Sequence, residues 1–111
     1  MKKKLFETES HKGHTLLRLN MEKLDTQVSP QLKAEFTVIC RSPVKKLIVD
    51  MSSVRSCDSS GLSALLVAER MMRDLKGEIH LIVPNLDVRN LFKVTQLEKV
   101  FSIHASPDAL S

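Results

Sequence analysis

An α/β fold built from repeated strand-to-helix units is what this chain predicts, and three observations carry the prediction. Two apolar runs containing β-branched residues, Leu47-Ile48-Val49 and Ile79-His80-Leu81-Ile82-Val83, have the composition of strands. Each precedes a stretch whose apolar residues recur at helical spacing, Leu62 to Leu75 in the first case and Val88, Leu91 and Phe92 in the second. Gly, Pro, Asn and Ser residues punctuate the joins between them. Strands alternating with helices require crossovers, so the sheet is expected to be largely parallel, with right-handed connections.

Taken in order, residues 1–12 form a partly flexible N-terminal segment or a short first strand opened by Leu5 and Phe6. Gly13 marks a turn into a second strand, Thr15-Leu16-Leu17-Arg18-Leu19, which makes a hairpin the natural pairing. Asn20 to Asp25 reads as a polar connection. Ser29-Pro30 then starts a helix, with the serine hydroxyl as cap and a proline where its missing N–H costs nothing. Val28, Leu32, Phe36, Ile39 and Cys40 give that helix one apolar stripe, and Pro43 limits it. The continuous apolar triplet Leu47-Ile48-Val49 is expected to be a central strand covered on both faces. In the next helix Leu62, Leu65, Leu66, Ala68, Met72 and Leu75 point to the core, Glu69 and Arg73 are spaced as an ion pair, and Gly77 supplies a left-handed C-cap. Pro84-Asn85 ends the following strand and caps the helix of Val88, Leu91 and Phe92. Val100 to His104 is a last short strand, and Ser106-Pro107-Asp108 opens a final helix.

Composition narrows the function classes. At 111 residues, 42% hydrophobic and 27% charged, the chain reads as one ordinary globular domain over residues 1–111. Chains of this size bury roughly two-thirds of their unfolded surface. No apolar run reaches the roughly 18 residues of a spanning helix, and no signal-peptide core follows the early lysines, so a cytoplasmic protein without membrane insertion is expected. Cys40 and Cys57 are expected as buried free thiols. A net charge of +4 is compatible with phosphate contacts, but there is no Trp or Tyr, and the four Phe fall in apolar periodic contexts. A base-stacking platform is therefore missing, and nucleic acid is not an expected partner.

The chemistry concentrates in Cys57-Asp58-Ser59-Ser60-Gly61-Leu62, which joins a strand to the best amphipathic helix. With three glycines and neither G-x-G-x-x-G nor G-x-x-x-x-G-K-[ST], the chain has no nucleotide cradle. Gly61-Leu62-Ser63-Ala64-Leu65 imitates a nucleophile elbow but lacks its second glycine, and His80 and His104 fall on strands, which argues against a serine hydrolase. His11 and His14 flank a glycine turn without supporting ligands, which argues against zinc. Ser59 and Ser60 stand where helix N–H groups are unpaired, so an anion there gains about 0.3–1 kcal/mol. Spacing alone leaves two accounts open: the serines cap the helix with Asp58 facing its dipole, or one of them accepts a phosphate.

The same residues resemble a known family. Leu47-Ile48-Val49-Asp50-Met51-Ser52-Ser53-Val54 followed by Asp58-Ser59-Ser60-Gly61-Leu62 is similar to the signature of the STAS domain, the anti-sigma factor antagonist family: an apolar strand, a loop, then D-S-[ST]-G-[LI]. Leu24-Asp25, Val88-Arg89-Asn90-Leu91-Phe92 and Thr95-Gln96-Leu97 extend the likeness over roughly Thr15 to Ile103. Met21 stands where the family often has glycine, Lys23 lengthens that connection, and Gln96 replaces the glycine of T-G-L.

The resemblance implies a STAS-like α/β fold: a mixed sheet of four to five strands with βα repeats and helices mainly on one face. It implies no enzyme and no cofactor, but a phosphoprotein that regulates transcription through protein–protein interaction. Unmodified, such a protein binds an anti-sigma factor serine kinase that carries the ATP; phosphorylation of Ser59 switches it off, and a PP2C-type phosphatase restores it. Partner-binding residues carried over are Asp25, Asp58, Ser59, Ser60, Gly61 and Leu62. The fold's other known use, as a STAS subunit of a lipid or anion transporter or of a stress-signalling complex, is the alternative.

Overall fold

The computed structural model describes residues 4–107. Its main sheet has five strands in the order β1-β2-β4-β6-β7. Strands β1 (Phe6–His11) and β2 (His14–Leu19) form an antiparallel hairpin whose turn places Lys12 and Gly13 at φ 51° and 83°. Positive φ at both central residues matches the right-handed twist of hairpin strands, which is why a glycine stands there. The first strand is longer than its apolar residues suggest: beyond Phe6 every residue of β1 is exposed, so it is held by pairing with β2 rather than by burial.

After β2 the chain makes a two-residue strand, β3 (Lys23–Leu24), inside the stretch expected to be only a polar connection. Helix α1 (Ser29–Ile39) follows, then β4 (Lys46–Asp50). A second two-residue strand, β5 (Ser56–Cys57), pairs in parallel with β3 and leads directly into α2 (Ser59–Asp74). Strand β6 (Glu78–Ile82), helix α3 (Leu86–Val94), a 3-10 turn at Leu97–Lys99 and β7 (Ser102–His104) complete the described chain. The expected final helix from Ser106 lies mostly outside the described residues.

β2, β4, β6 and β7 are mutually parallel, and each crossover steps to the next strand in the same direction. With one handedness and one direction of travel, successive helices must land on one face of the sheet. Leu17, Leu19, Leu47, Val49, Ile79 and Leu81 point to that face and are buried against Leu32 and Phe36 of α1, Leu65 and Met72 of α2, and Phe92 of α3. Among the described residues the opposite face carries no helix. β4 is the middle strand, as expected, but its burial alternates and Ile48 is half-exposed, so it is not covered on both faces. Arg18 bridges that open face, 3.1 Å from Glu7 on β1 and 3.5 Å from Asp50 on β4.

Both ends of the central helices differ from the sequence expectation in detail. Ser29 does not cap α1. The chain already turns at Asp25, whose carbonyl accepts from the N–H groups of Val28 (3.1 Å) and Ser29 (2.9 Å), and whose carboxylate accepts from Gln27 N–H (3.0 Å). Those bonds leave the Ser29 hydroxyl free to reach elsewhere. At the far end of α2, Gly77 is not the left-handed residue; Lys76 is, at φ 59°. Lys76 N–H donates to the Arg73 carbonyl (3.0 Å) and Gly77 N–H to that of Met72 (2.8 Å), the paired bonds of a Schellman closure. Gly77 is needed for space: a Cβ there would lie 2.6 Å from Met72 Cε and 2.9 Å from the carbonyls of Val44 and Lys45. Leu75, expected in the core, is 40% exposed. The expected Glu69–Arg73 pair forms at 3.3 Å.

Because Lys76 adopts a conformation that disfavours a Cβ, Lys76→Gly is expected to stabilise the protein by about 0.5–1 kcal/mol. Urea unfolding should show a higher midpoint at unchanged slope. An unchanged or lower midpoint would contradict this account of the helix end.

Candidate functional site

The small β3–β5 ladder organises the site. Its register sets Leu24 beside Cys57, so the residues that follow, Asp25 and Asp58, leave the ladder side by side. Asp58 N–H donates to the Leu24 carbonyl (3.2 Å), and the N–H groups of Arg55 and Ser56 donate to the Glu22 carbonyl (2.8 and 3.1 Å). The loop before α1 and the turn before α2 are thereby one unit, although 31 residues separate Ser29 from Ser60.

Within that unit Asp58, not a serine, caps α2. Its Oδ1 accepts from Gly61 N–H at 3.0 Å and from the Ser60 hydroxyl at 2.6 Å. Hydrogen bonds from Ser60 and then from Gly61 N–H hold the Asp58 carboxyl below its ordinary range, so it is a carboxylate at neutral pH. Ser60 in turn is approached at 3.1 Å by the buried Ser29 hydroxyl, which also contacts the Asp25 carbonyl at 2.8 Å. Ser29 has a single hydroxyl proton to serve both contacts, while that of Ser60 is directed to Asp58. Asp25 thus meets the α2 turn through its own carbonyl and Ser29.

Ser59, the first residue of α2, is different. It is exposed, and among the described residues its hydroxyl makes no hydrogen bond. Gly61 N–H is taken by the Asp58 side chain and Leu62 N–H by the Asp58 carbonyl (3.1 Å), while Ser59 itself stands in the first turn of α2, where N–H groups lack intrahelical partners. An oxyanion on Ser59 would therefore sit at a positive helix end beside a fixed negative charge, and the two influences oppose each other.

Two residues of the expected partner surface work from beneath it. Gly61 is buried, and a Cβ on it would meet the Leu24 carbonyl at 2.6 Å and Cys57 Sγ at 2.8 Å. Leu62 is only 9% exposed and anchors the helix start in the core. Burial, with a smaller contribution from the Asp58 charge, pushes the Cys57 thiol up to about 12, which leaves it protonated and unreactive at neutral pH. Cys40 and Cys57 are both free. A shallow groove between β5 and α3, lined by Arg55, Ser56, Cys57, Asp87, Val88 and Leu91, flanks the turn.

Sequence reasoning missed Ser29 as part of this site, and missed the ladder itself. Two-residue strands have no periodicity to read, and only the recurrence of an apolar residue, a small or polar neighbour and an aspartate at Leu24-Asp25 and Cys57-Asp58 hints at them. His11 and His14 face each other across the hairpin, and His80 and His104 bond each other on the helix-free face.

A mixed sheet with the described helices on one side, and a D-S-S-G turn opening its second helix, define a recognisable class. The chain matches the STAS domain family over residues 6–110 and belongs to it. No match was found among curated protein sequences. Among solved structures it is similar to a Thermotoga maritima protein assigned as an anti-sigma factor antagonist (TM-score 0.86, 21% identity, covering 95% of this chain and 90% of that one). It is also similar to an anti-sigma factor antagonist from Mycobacterium paratuberculosis (0.78, 21%, 94% and 87%) and to the Bacillus cell fate determinant SpoIIAA in its phosphorylated form (0.71, 21%, 95% and 96%). These likenesses establish the fold, a mixed five-stranded α/β sheet of the STAS type.

Proposed function

We infer that this chain is an anti-sigma factor antagonist: a single-domain cytoplasmic binding module, not an enzyme, that regulates transcription by engaging an anti-sigma factor serine kinase. The partner brings ATP, phosphorylates Ser59 and is thereby released, and a PP2C-type phosphatase resets the switch. Asp25, Asp58, Ser59, Ser60, Gly61 and Leu62 make or support the docking surface. The observation that carries this reading is the unequal standing of the two serines. Ser60 is held by Asp58 and Ser29, while the Ser59 hydroxyl is exposed and unbonded at the helix start. Phosphate on Ser59 costs the fold little, because helix end and Asp58 offset each other. It adds about −1.5 to −2 charge and three oxygens to a surface that a partner must desolvate. Similarity to anti-sigma factor antagonists, one of them solved both unphosphorylated and phosphorylated, supports the assignment.

The test is recovery of the bound partner by co-purification, followed by mass measurement with and without ATP. A kinase in the complex and one phosphate on Ser59 are expected, and Ser59→Asp should bind that kinase at least about tenfold more weakly, a loss of about 1.4 kcal/mol. A kinase that leaves Ser59 unmodified, or binds Ser59→Asp as tightly as wild type, would remove this reading.

A further inference from the structure

The helix-free face of the sheet holds a second arrangement, unrelated to the acceptor turn. His80 of β6 and His104 of β7 lie on neighbouring parallel strands, with His80 Nδ1 3.0 Å from His104 Nε2. Their ring centroids are 5.2 Å apart and their planes differ by 29°. The centroid separation exceeds the nitrogen separation by only about two ring radii, so the rings meet end to end. Two imidazole nitrogens on one tetrahedral metal ion, with bonds of about 2.0–2.1 Å, stand roughly 3.3–3.4 Å apart, and about 4 Å apart if the ion lies in line between them. The observed gap fits a proton.

The outer contacts decide where the proton sits. His80 Nε2 is 3.3 Å from Glu78 Oε1, and the His80 side chain is only 12% exposed. A carboxylate accepts and cannot donate, so His80 carries its hydrogen on Nε2 and presents a lone pair at Nδ1. The bridging hydrogen then belongs to His104 Nε2, and His104 Nδ1 is open to a first added proton. A second proton can enter only at His80 Nδ1, where it would face the His104 N–H head on. Charged groups on the surrounding strands are Glu78 on β6 and Lys46 on β4, which stand opposite each other in the register; Asp50, further along β4, is engaged by Arg18 and Ser52.

We propose that the His80–His104 pair is a proton-responsive latch that fastens the edge strand β7 to β6 when neutral and lets it go when both rings are charged. Besides this contact, β7 is a three-residue edge strand held by its ladder with β6, by the Val83 N–H bond to the His104 carbonyl (2.8 Å) and by Ile103 packing against the core. Burial first, then the charges of His80 and Lys46, hold His104 below its ordinary value of 6.5. A depressed folded value means that the unfolded chain takes up the proton first. The His104 part of the stabilisation is therefore complete above about pH 6.5 and is lost as pH falls through the folded value, while the contact itself opens only when the second ring is charged as well.

Ring nitrogen and carbon NMR of the full chain from pH 8 to 5 tests this without any substitution. The expected result is two coupled titration steps, fixed Nε2–H tautomers for both rings at the alkaline end, and at least a tenfold loss of amide-exchange protection at Ile103 and His104 on acidification, after correction for intrinsic rates. His104→Gln, which keeps an N–H donor but cannot titrate, should abolish that pH dependence. Independent single-site titrations of the two rings, unchanged protection in β7, or a His104→Gln protein as pH-sensitive as wild type would each overturn the proposal.

Discussion

Alanine at Gly61 is expected to destabilise the protein by about 1–3 kcal/mol, the usual range for forcing atoms into a packed site. The added methyl would lie 2.6 Å from the Leu24 carbonyl oxygen and 2.8 Å from both Leu24 Cγ and Cys57 Sγ. The closest of these is backbone, tied by its bond from Asp58 N–H, and cannot swing aside as a side chain could. Alanine gains up to about 1 kcal/mol over glycine in a helix interior, too little to cancel an overlap on three sides. Relief requires α2 to move away from β3, which carries Ser59 with it. Urea unfolding of Gly61→Ala against the exposed control Ser63→Ala separates this from general helix effects. Equal stability of the two variants would show that the ladder and the helix start are not in the contact described.

Complete loss of kinase-dependent phosphate incorporation is expected for Ser59→Ala, with retention in Ser60→Ala. The two serines are adjacent in sequence and identical in chemistry, so the difference lies in their hydrogen bonds. The Ser60 hydroxyl is 2.6 Å from a carboxylate whose proton affinity is already lowered, and to act as acceptor it would have to abandon Asp58 and Ser29 together. Ser59 abandons nothing. Removing the Ser60 hydroxyl leaves the Asp58 cap on Gly61 N–H, so the helix start and the Ser59 acceptor should persist. Phosphate found on Ser60 in the Ser59→Ala protein would refute the geometric basis of selectivity, while leaving the broader assignment as a binding module standing.

The alternation of strands and helices was legible because α2, α3, β4 and β6 carry strong apolar patterns. Asn85 capping α3 through Val88 N–H at 3.0 Å followed from residue chemistry alone. What escaped was set by contacts distant in sequence. β1 and its hairpin with β2 were expected, but not its length: Glu7-Thr8-Glu9-Ser10 carries no strand signal of its own and is held by pairing with β2. β3 and β5 exist only as each other's partner. The helix starts shifted for a related reason: at α2 the Asp58 carboxylate, a stronger acceptor than a hydroxyl, takes the N–H that a serine was expected to cap, and at α1 the Asp25 backbone carbonyl takes the N–H groups of Val28 and Ser29. Glycine was expected to mark left-handed backbone, yet Lys76 and Gln96 hold φ of 59° and 63° while Gly77 is kept for its lack of volume. Gln96 thus adopts, with a side chain, the conformation that the family's glycine would allow more easily.

The place of Ser59 as the first residue of α2 carries a consequence for whatever acts on it. A hydroxyl on a flexible segment can be drawn out and laid into a catalytic groove as an extended strand. Here the residue behind the hydroxyl anchors a cap, the serine is itself the first of sixteen residues of helix, and Gly61 pins the start to β3. An enzyme that modifies this serine must come to it as a surface and read the shape of two loops at once, so the linear string Asp58-Ser59-Ser60-Gly61, cut from the fold, carries little of what is recognised.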